Sequence, residues 1–166
     1  MLLRFLAKIY NSVPVDLQRR ILDRAHARFL VGVNGLGIGA GGTVILARHR
    51  FGAPQWRLLG GFIARDESLQ DALRREIREE TGLAIEVGPI LEANTGHRWS
   101  RVEAIYPYRV VGGRATLSEE LLELREFAPD ALPAMRADHR GIVERHFAAA
   151  SAWARDRRDP ATIALS

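Results

Sequence analysis

One predicted helix, over residues 68–81, limits most strongly what this chain can fold into. Ser68 can cap its first turn, and Gly82 can end it. At 100° per residue the apolar residues fall on one side of the helix and most arginines fall on the other. Three carboxylates share the apolar side: Glu76, Glu79 and Glu80. Amphipathic helices normally place leucine or isoleucine there, so these charges need a physical explanation.

Two explanations for the three glutamates are open. Carboxylates three and four residues apart repel one another, and removing one from water without a partner costs several kcal/mol. Either the helix end extends past the core and the glutamates are solvated, or they hold a hard divalent cation. All-oxygen clusters suit Mg²⁺ or Mn²⁺. The helix alone does not decide between these explanations.

The pattern around this helix predicts one α/β sandwich. A glycine-rich turn over residues 39–42 joins strands predicted over 29–38 and 43–49. The remaining predicted elements are strands over 85–93, 102–111 and 122–127 and a last helix over 138–153. Residues 2–10 and 16–25 have helical spacing of apolar residues and predict short amphipathic helices. We therefore divide the chain into an N-terminal helical extension (1–28), one domain (29–153) and a C-terminal tail (154–166).

Composition excludes several classes of protein. The chain has 166 residues, which fits one compact domain, and no apolar run approaches the ~20 residues of a membrane span. Cysteine is absent, which excludes a thiol nucleophile and a zinc ribbon and fits a cytoplasmic location. The net charge of +4 comes from residues 1–30, with six basic and two acidic residues. Because the rest of the chain is neutral, we expect no stable nucleic-acid partner.

The spacing within residues 61–83 is the most specific signal. Gly61 is followed after five residues by Glu67, and after seven more by Arg75-Glu76-Ile77-Arg78-Glu79-Glu80-Thr81-Gly82-Leu83. This pattern resembles the Nudix box of the Nudix hydrolase superfamily at every fixed position. The segments over 56–61 and 120–133 are similar to the flanks of that box, so the resemblance extends over about residues 29–150. The chain departs from the commonest family form at three positions that are not fixed: Leu59, Ala64 and Asp66.

The resemblance implies both a fold and a reaction. The fold is a Nudix-type α/β/α sandwich with a mixed central sheet, preceded here by the N-terminal amphipathic helices. The reaction is divalent-metal-dependent hydrolysis of a phosphoanhydride bond in a nucleoside diphosphate linked to another moiety. The cofactor implied is Mg²⁺, with Mn²⁺ as the alternative. The competing interpretation is a Nudix-fold module that binds or senses a nucleotide without cleaving it, although the intact glutamates argue against it.

The roles of individual box residues also follow from the resemblance. The implied metal ligands are Glu76, Glu79, Glu80 and the backbone carbonyl of Gly60. The structural positions of the box are Gly61, Glu67, Arg75 and Gly82, with Arg75 and Glu67 pairing to hold the loop against the helix. Our first choice for the general base is Glu79, and the second is Glu120.

Outside the box, two residues are candidates for substrate binding. Arg48 belongs to a basic cluster at a strand end, and Trp56 is an aromatic residue that could equally close the core. The histidines of the last predicted helix, His139 and His146, receive no role. The expected partner is a nucleotide-type small molecule. Peripheral membrane contact through residues 1–28 and a homodimer are both left open, since anionic lipid attracts nearby basic residues.

Overall fold

The computed structural model describes residues 14–17, 29–96 and 100–156. The amphipathic helices predicted over 2–10 and 16–25 therefore lie outside the described residues, apart from one helical turn at 15–17. Residues 157–166 of the predicted tail also lie outside them. Within the described part of the chain, no helix combines the length and the apolarity needed to cross a membrane.

A mixed sheet forms the centre of the described fold. Its strands are β1 (Leu30–Ile38), β2 (Val44–His49), β3 (Trp56–Arg57), β4 (Leu59–Phe62), β5 (Leu83–Val87), β6 (Glu92–Gly96), β7 (Arg101–Gly113) and β8 (Leu121–Phe127). The main path through the sheet is β3-β2-β1-β7-β5, while β4 pairs with β1, β6 with β7 and β8 with β2. Strands β1 and β7 are parallel, and the other pairs are antiparallel. This arrangement confirms the mixed central sheet.

Two helices cover the opposite faces of the sheet. Helix α1 (Leu69–Thr81) follows β4, and helix α2 (Ala137–Asp156) follows β8. Leu73 and Ile77 of α1 belong to one buried core, whereas Ile142 and Val143 of α2 belong to another. Alternate side chains of the strands fill these two cores, as the period of two in a β-strand requires. The predicted α/β/α sandwich is therefore confirmed.

Both predicted ends of helix α1 are present. The Ser68 side chain accepts a hydrogen bond from the Asp71 amide at 3.1 Å, which satisfies one of the free donors of the first turn. Gly82 adopts a left-handed conformation with φ of 72°, and its amide donates to the Arg78 carbonyl at 2.8 Å. These caps fix where the helix begins and ends, and so they determine that the three glutamates lie in its last two turns.

The single strand predicted over residues 85–93 is wrong. Residues 88–91 interrupt the strand, and β5 and β6 run in the same direction along successive parts of β7, with Val87 opposite Tyr108 and Glu92 opposite Ile105. Gly88 lies at the interruption, where a Cβ would stand 2.7 Å from side-chain atoms of both Pro107 and Trp153. Pro89 follows and has no amide hydrogen to give to a ladder, so the strand cannot continue.

The last helix is longer than the sequence pattern predicts. Helix α2 continues to Asp156 rather than ending at residue 153, and Ala154 is buried in its last turn. The first three residues of the predicted tail are therefore helical. Strands β3 and β4 were not predicted, because segments of two and four residues are too short to show an alternating pattern.

Candidate active site

Two glycines of β4 allow the strand and helix α1 to approach each other closely. A Cβ at Gly60 would stand 2.1 Å from the Val33 carbonyl oxygen of the neighbouring strand. A Cβ at Gly61 would stand 2.2 Å from the carboxyl carbon of Glu76. The Glu76 carboxyl group therefore lies directly over the backbone of Gly61. This contact brings Glu76, one predicted metal ligand, next to strand β4, which carries another, the Gly60 carbonyl.

Arg75 holds the loop between β4 and α1 against the helix. Its Nη2 donates to Glu67 Oε1 at 2.8 Å and to the Phe62 carbonyl at 2.9 Å, while its Nε donates to Glu67 Oε2 at 3.1 Å. Glu67 also accepts a hydrogen bond from the Ala64 amide. The hydrogen bonds from Arg75, followed by the one from Ala64, hold the pKa of Glu67 below its usual range. Arg75 and Glu67 thus form the pair that the box spacing implies.

The same guanidinium also contacts two of the predicted metal ligands. Arg75 Nη1 donates to Glu76 Oε1 at 2.9 Å and to Glu79 Oε2 at 3.2 Å. Only 19% of the Glu76 side chain is exposed, but 61% of the Glu79 side chain is. The prediction that all three glutamates lie on the core-facing side is therefore wrong for Glu79. Its position at the margin of the apolar side leaves its carboxyl group in solvent.

Glu80 is the carboxylate with the most unusual surroundings. Its Oε2 atom is buried and has no hydrogen-bond partner. Burial raises the pKa of Glu80 to about 7, with further contributions from the negative charges of Glu76, Glu120 and Glu79. A buried acceptor without a partner is costly in a folded protein, so this oxygen needs a proton or a cation.

The loop between β7 and β8 brings Glu120 to the same cluster. The Thr116 amide donates to the Thr81 carbonyl and the Ser118 amide to the Glu80 carbonyl, both at 2.8 Å. These bonds hold the loop against the C-terminal end of α1. Glu120 itself is exposed, but it lies close enough to raise the pKa of Glu80. The structure thus brings both candidates for the general base near the predicted metal ligands.

Arg48 and Trp56 lie elsewhere, as neighbours on β2 and β3. Arg48 Nε is 3.5 Å from a Glu123 carboxylate oxygen. The Trp56 ring meets the Phe127 ring edge to face at 4.9 Å and packs against the core on the α2 side of the sheet. These contacts agree with the interpretation that Trp56 closes the core, and substrate binding by either residue stays a prediction.

The glutamates have the oxygen ligands that suit a hard divalent cation, but their side chains do not point to a common position. Among the described residues, no group of three acidic or histidine side chains surrounds a single point. Arg75 Nη1 instead supplies positive charge to Glu76 and Glu79. The unpartnered Glu80 oxygen and the nearby carboxylates form the all-oxygen donor set that Mg²⁺ prefers. A cation would share the carboxyl groups of Glu76 and Glu79 with Arg75, which bonds one oxygen of each.

A histidine that the sequence gives no role, His139, is buried next to this region. Only 5% of His139, on helix α2, is exposed, and its Nδ1 accepts a hydrogen bond from the Leu58 amide at 3.0 Å. Burial lowers the pKa of His139 to about 4, against a raising effect of Asp138 and with smaller lowering effects of Arg136, Arg57 and His49. The ring is therefore neutral at pH 7. No local pattern marks this contact, because the two residues are 81 positions apart in the chain.

The two glycines of β4 are expected to respond differently to alanine. Gly60→Ala would drive a methyl group into the fixed backbone of β1, so we expect a loss of stability of several kcal/mol. Gly61→Ala meets only the end of the Glu76 side chain, which can move. We expect this variant to fold with a nearly unchanged melting temperature but to bind Mg²⁺ more weakly. Thermal unfolding and Mg²⁺ titration of both variants test this difference, and equal melting temperatures would contradict it.

Acid is expected to destabilise the protein partly through His139. Between pH 6.5 and about 4 the unfolded chain binds a proton at this residue and the folded chain does not, so stability falls as the pH falls. From pH 7 to pH 5 the loss is about 2 kcal/mol. Because other groups titrate in this range, the measurement compares denaturant unfolding of the wild type with that of His139→Asn. Between pH 7 and pH 5 the free energy of unfolding of the variant should fall by about 2 kcal/mol less than that of the wild type. Parallel pH profiles would show that the buried ring does not contribute.

Two solved structures with a similar fold are named as hydrolases. The chain superposes on a NUDIX hydrolase from Nitrosomonas europaea with a TM-score of 0.65 at 21% identity, covering 74% of this chain and 73% of that one. It superposes on an ADP-ribose pyrophosphatase from Streptococcus suis with a TM-score of 0.64 at 20% identity, covering 79% and 96%. At these identities the likeness establishes the fold.

The family follows from the sequence match. The model of the NUDIX domain matches residues 28–146, and the chain therefore belongs to the Nudix family. A curated relative, an ADP-ribose pyrophosphatase from Methanocaldococcus jannaschii, is 30% identical over 91 residues. That match covers 52% of this chain and 54% of the relative, so the chain spans about half the length of the curated relative it matches.

Proposed function

We propose that this chain hydrolyses a phosphoanhydride bond in a nucleoside diphosphate linked to another moiety, and that the reaction needs a divalent cation. The observation that carries the proposal is the carboxylate cluster at the C-terminal half of α1. There, Glu76 lies over Gly61 and Glu80 keeps a buried oxygen without a partner. Such a concentration of charge destabilises a protein that gains nothing from it. The chain belongs to the Nudix family, and the resemblance to its box implies that these glutamates bind a divalent cation.

The cation would be held by Glu76, Glu79, Glu80 and the Gly60 carbonyl. When bound, it would neutralise charge on the diphosphate and lower the pKa of a water molecule. The protein then has to position the diphosphate and the water molecule and accept a proton from the water. Arg75 and Glu67 fix the loop in front of the helix. Glu79 is the first candidate to accept the proton from water, because its carboxyl group is exposed beside the cluster, and Glu120 is the second.

The names of two relatives support a choice of the first substrate to test. Two similar proteins are named ADP-ribose pyrophosphatases, and this makes ADP-ribose the first compound to test. Other compounds of the same chemistry are sugar nucleotides, dinucleotides, oxidised nucleoside triphosphates and capped RNA. Each contains a phosphoanhydride bond next to a nucleoside.

Incubation of the purified chain with this panel and Mg²⁺ tests the proposal. For the diphosphate-linked compounds, a phosphatase added after the reaction releases inorganic phosphate only from cleaved monophosphate products. We expect cleavage of at least one member, and no cleavage by the combined variant Glu76→Gln and Glu80→Gln. Tight binding of a nucleotide without any cleavage would instead support a sensing module.

The domain division and the location also remain proposals. We propose that residues 29–156 form the catalytic domain, since helix α2 extends to Asp156, and that residues 1–28 are an extension outside it. The proposed location is the cytoplasm. Peripheral membrane contact of the extension and a homodimer are alternatives. Sedimentation of the full chain with anionic vesicles tests the first, and its mass in solution tests the second.

A further inference from the structure

The β3–β4 segment changes its strand partner at Leu58. Arg57 of β3 pairs with Ala47 of β2, whereas Leu59 of β4 pairs with Gly35 of β1. Leu58 lies between these strands and is almost completely buried, with 2% of its surface exposed. A buried backbone amide needs an acceptor. Here the acceptor is a side chain from helix α2, because the Leu58 amide donates to His139 Nδ1 at 3.0 Å.

The backbone at His139 is held by Asp138 and by Arg136, which directly precedes α2. The His139 backbone amide donates to Asp138 Oδ1 at 3.0 Å, and Arg136 Nε donates to the same oxygen at 3.0 Å. Because Nδ1 accepts the Leu58 hydrogen bond, the ring hydrogen is assigned to Nε2. The Leu58 hydrogen bond thus selects one tautomer, and the ring links the first turn of α2 to the β3–β4 junction.

This link acts two residues before the Gly60 carbonyl. Leu58 packs into the core on the α2 side, and Leu59 packs into the core on the α1 side. Pairing with β1 holds Leu59 and Gly60, and pairing with β2 holds Arg57, but the Leu58 amide between them is held by His139. A shift at Leu58 would therefore move the strand that leads to Gly60 relative to the glutamates of α1.

We propose that His139 is a positioning residue for this strand, which keeps the Gly60 carbonyl aligned with Glu76, Glu79 and Glu80. The proposal rests on the proposed function, since that function assigns the Gly60 carbonyl to the cation. Helix α2 thereby becomes part of the support of the site, although it lies on the opposite face of the sheet from α1. A purely structural histidine would stabilise the fold without influencing cation binding.

Three substitutions of His139 separate these roles. His139→Asn keeps an acceptor close to the position of Nδ1, since the asparagine oxygen lies at the same distance from the backbone. His139→Leu removes the acceptor, and His139→Gln moves it one methylene further away. The matched control is His146→Gln, on the same helix two turns later, where the ring contacts Glu92 of β6 instead of the β3–β4 segment.

The first measurement is amide hydrogen exchange without any cation. We expect exchange at Leu58, Leu59 and Gly60 to be about tenfold faster in His139→Leu than in the wild type, in line with loss of one buried hydrogen bond. His139→Asn and the control should stay within about threefold. Where His139→Leu does not fold, His139→Gln takes its place.

The second measurement is a Mg²⁺ titration followed both by amide chemical shifts and by turnover. In the variant without the acceptor, the Mg²⁺ dissociation constant should rise about tenfold, while kcat at saturating Mg²⁺ stays within about twofold. His139→Asn should restore the wild-type constant. Wild-type Mg²⁺ binding in His139→Leu or His139→Gln would overturn the proposal, and so would an equal loss in His139→Asn. If the wild type binds Mg²⁺ but cleaves no nucleotide, the proposed function fails, while the exchange and binding data still test His139.

Discussion

Glu79→Gln is expected to lower turnover of the nucleotide substrate at least a hundredfold while leaving the fold intact. The substitution keeps the size of the side chain but removes its ability to accept a proton, and general-base catalysis contributes about 10²- to 10⁴-fold. The loss of stability should be small, because the Glu79 side chain is 61% exposed and its ion pair with Arg75 lies at the surface. Steady-state kinetics with Mg²⁺ and a thermal unfolding scan measure the two effects.

Glu120→Gln is the comparison for this variant, because Glu120 is the second candidate for the base and is also exposed near Glu80. We expect it to lose less activity than Glu79→Gln. A larger loss in Glu120→Gln would transfer the role of base to the β7–β8 loop. Turnover of Glu79→Gln within about threefold of the wild type would remove Glu79 from the mechanism.

Mg²⁺ is expected to stabilise the folded protein, and more strongly as the pH rises through 7. Burial and neighbouring carboxylates hold the pKa of Glu80 at about 7, so a cation competes with a proton for this group below that pH. Mg²⁺ at a hundred times its dissociation constant stabilises by about 2.7 kcal/mol. For a domain of this size that raises the melting temperature by roughly 5–10 °C. Thermal scans at pH 6 and pH 8, with and without Mg²⁺, measure this effect.

Without a cation, the contribution of Glu80 to stability changes with pH in the opposite direction. Because the folded pKa of Glu80 lies above its unfolded value, the folded chain binds the extra proton between pH 4.5 and 7. The Glu80 contribution to stability is therefore present at acid pH and is lost as the pH rises. The combined variant Glu76→Gln and Glu80→Gln removes this loss and should respond little to Mg²⁺. If Mg²⁺ stabilised this variant and the wild type equally, the cation would bind elsewhere.

Local features of the site were predictable from the sequence because neighbouring residues determine them. Ser68 and Gly82 cap α1 through contacts within four residues, and the resemblance to the Nudix box implies the pair of Arg75 and Glu67. The exposure of Glu79 was not predictable from the helix alone.

Contacts between distant segments explain what the sequence could not predict. The interruption between β5 and β6 includes Gly88, which lies against the Trp153 ring of helix α2. The hydrogen bond between Leu58 and His139 likewise depends on how α2 crosses the sheet. Neither contact leaves a periodic pattern, since each involves a single residue on each segment.

Hydrolysis in water enriched in oxygen-18 tests the central claim most directly. With ADP-ribose or the best compound of the panel, Mg²⁺ and excess enzyme, one of the two phosphate-containing products should carry a single oxygen-18 atom from water. Glu79→Gln should form this product at least a hundredfold more slowly, and removal of Mg²⁺ by a chelator should stop its formation. Binding of every nucleotide tested without any labelled product would contradict the account, and the chain would then be a nucleotide-binding member of the Nudix family.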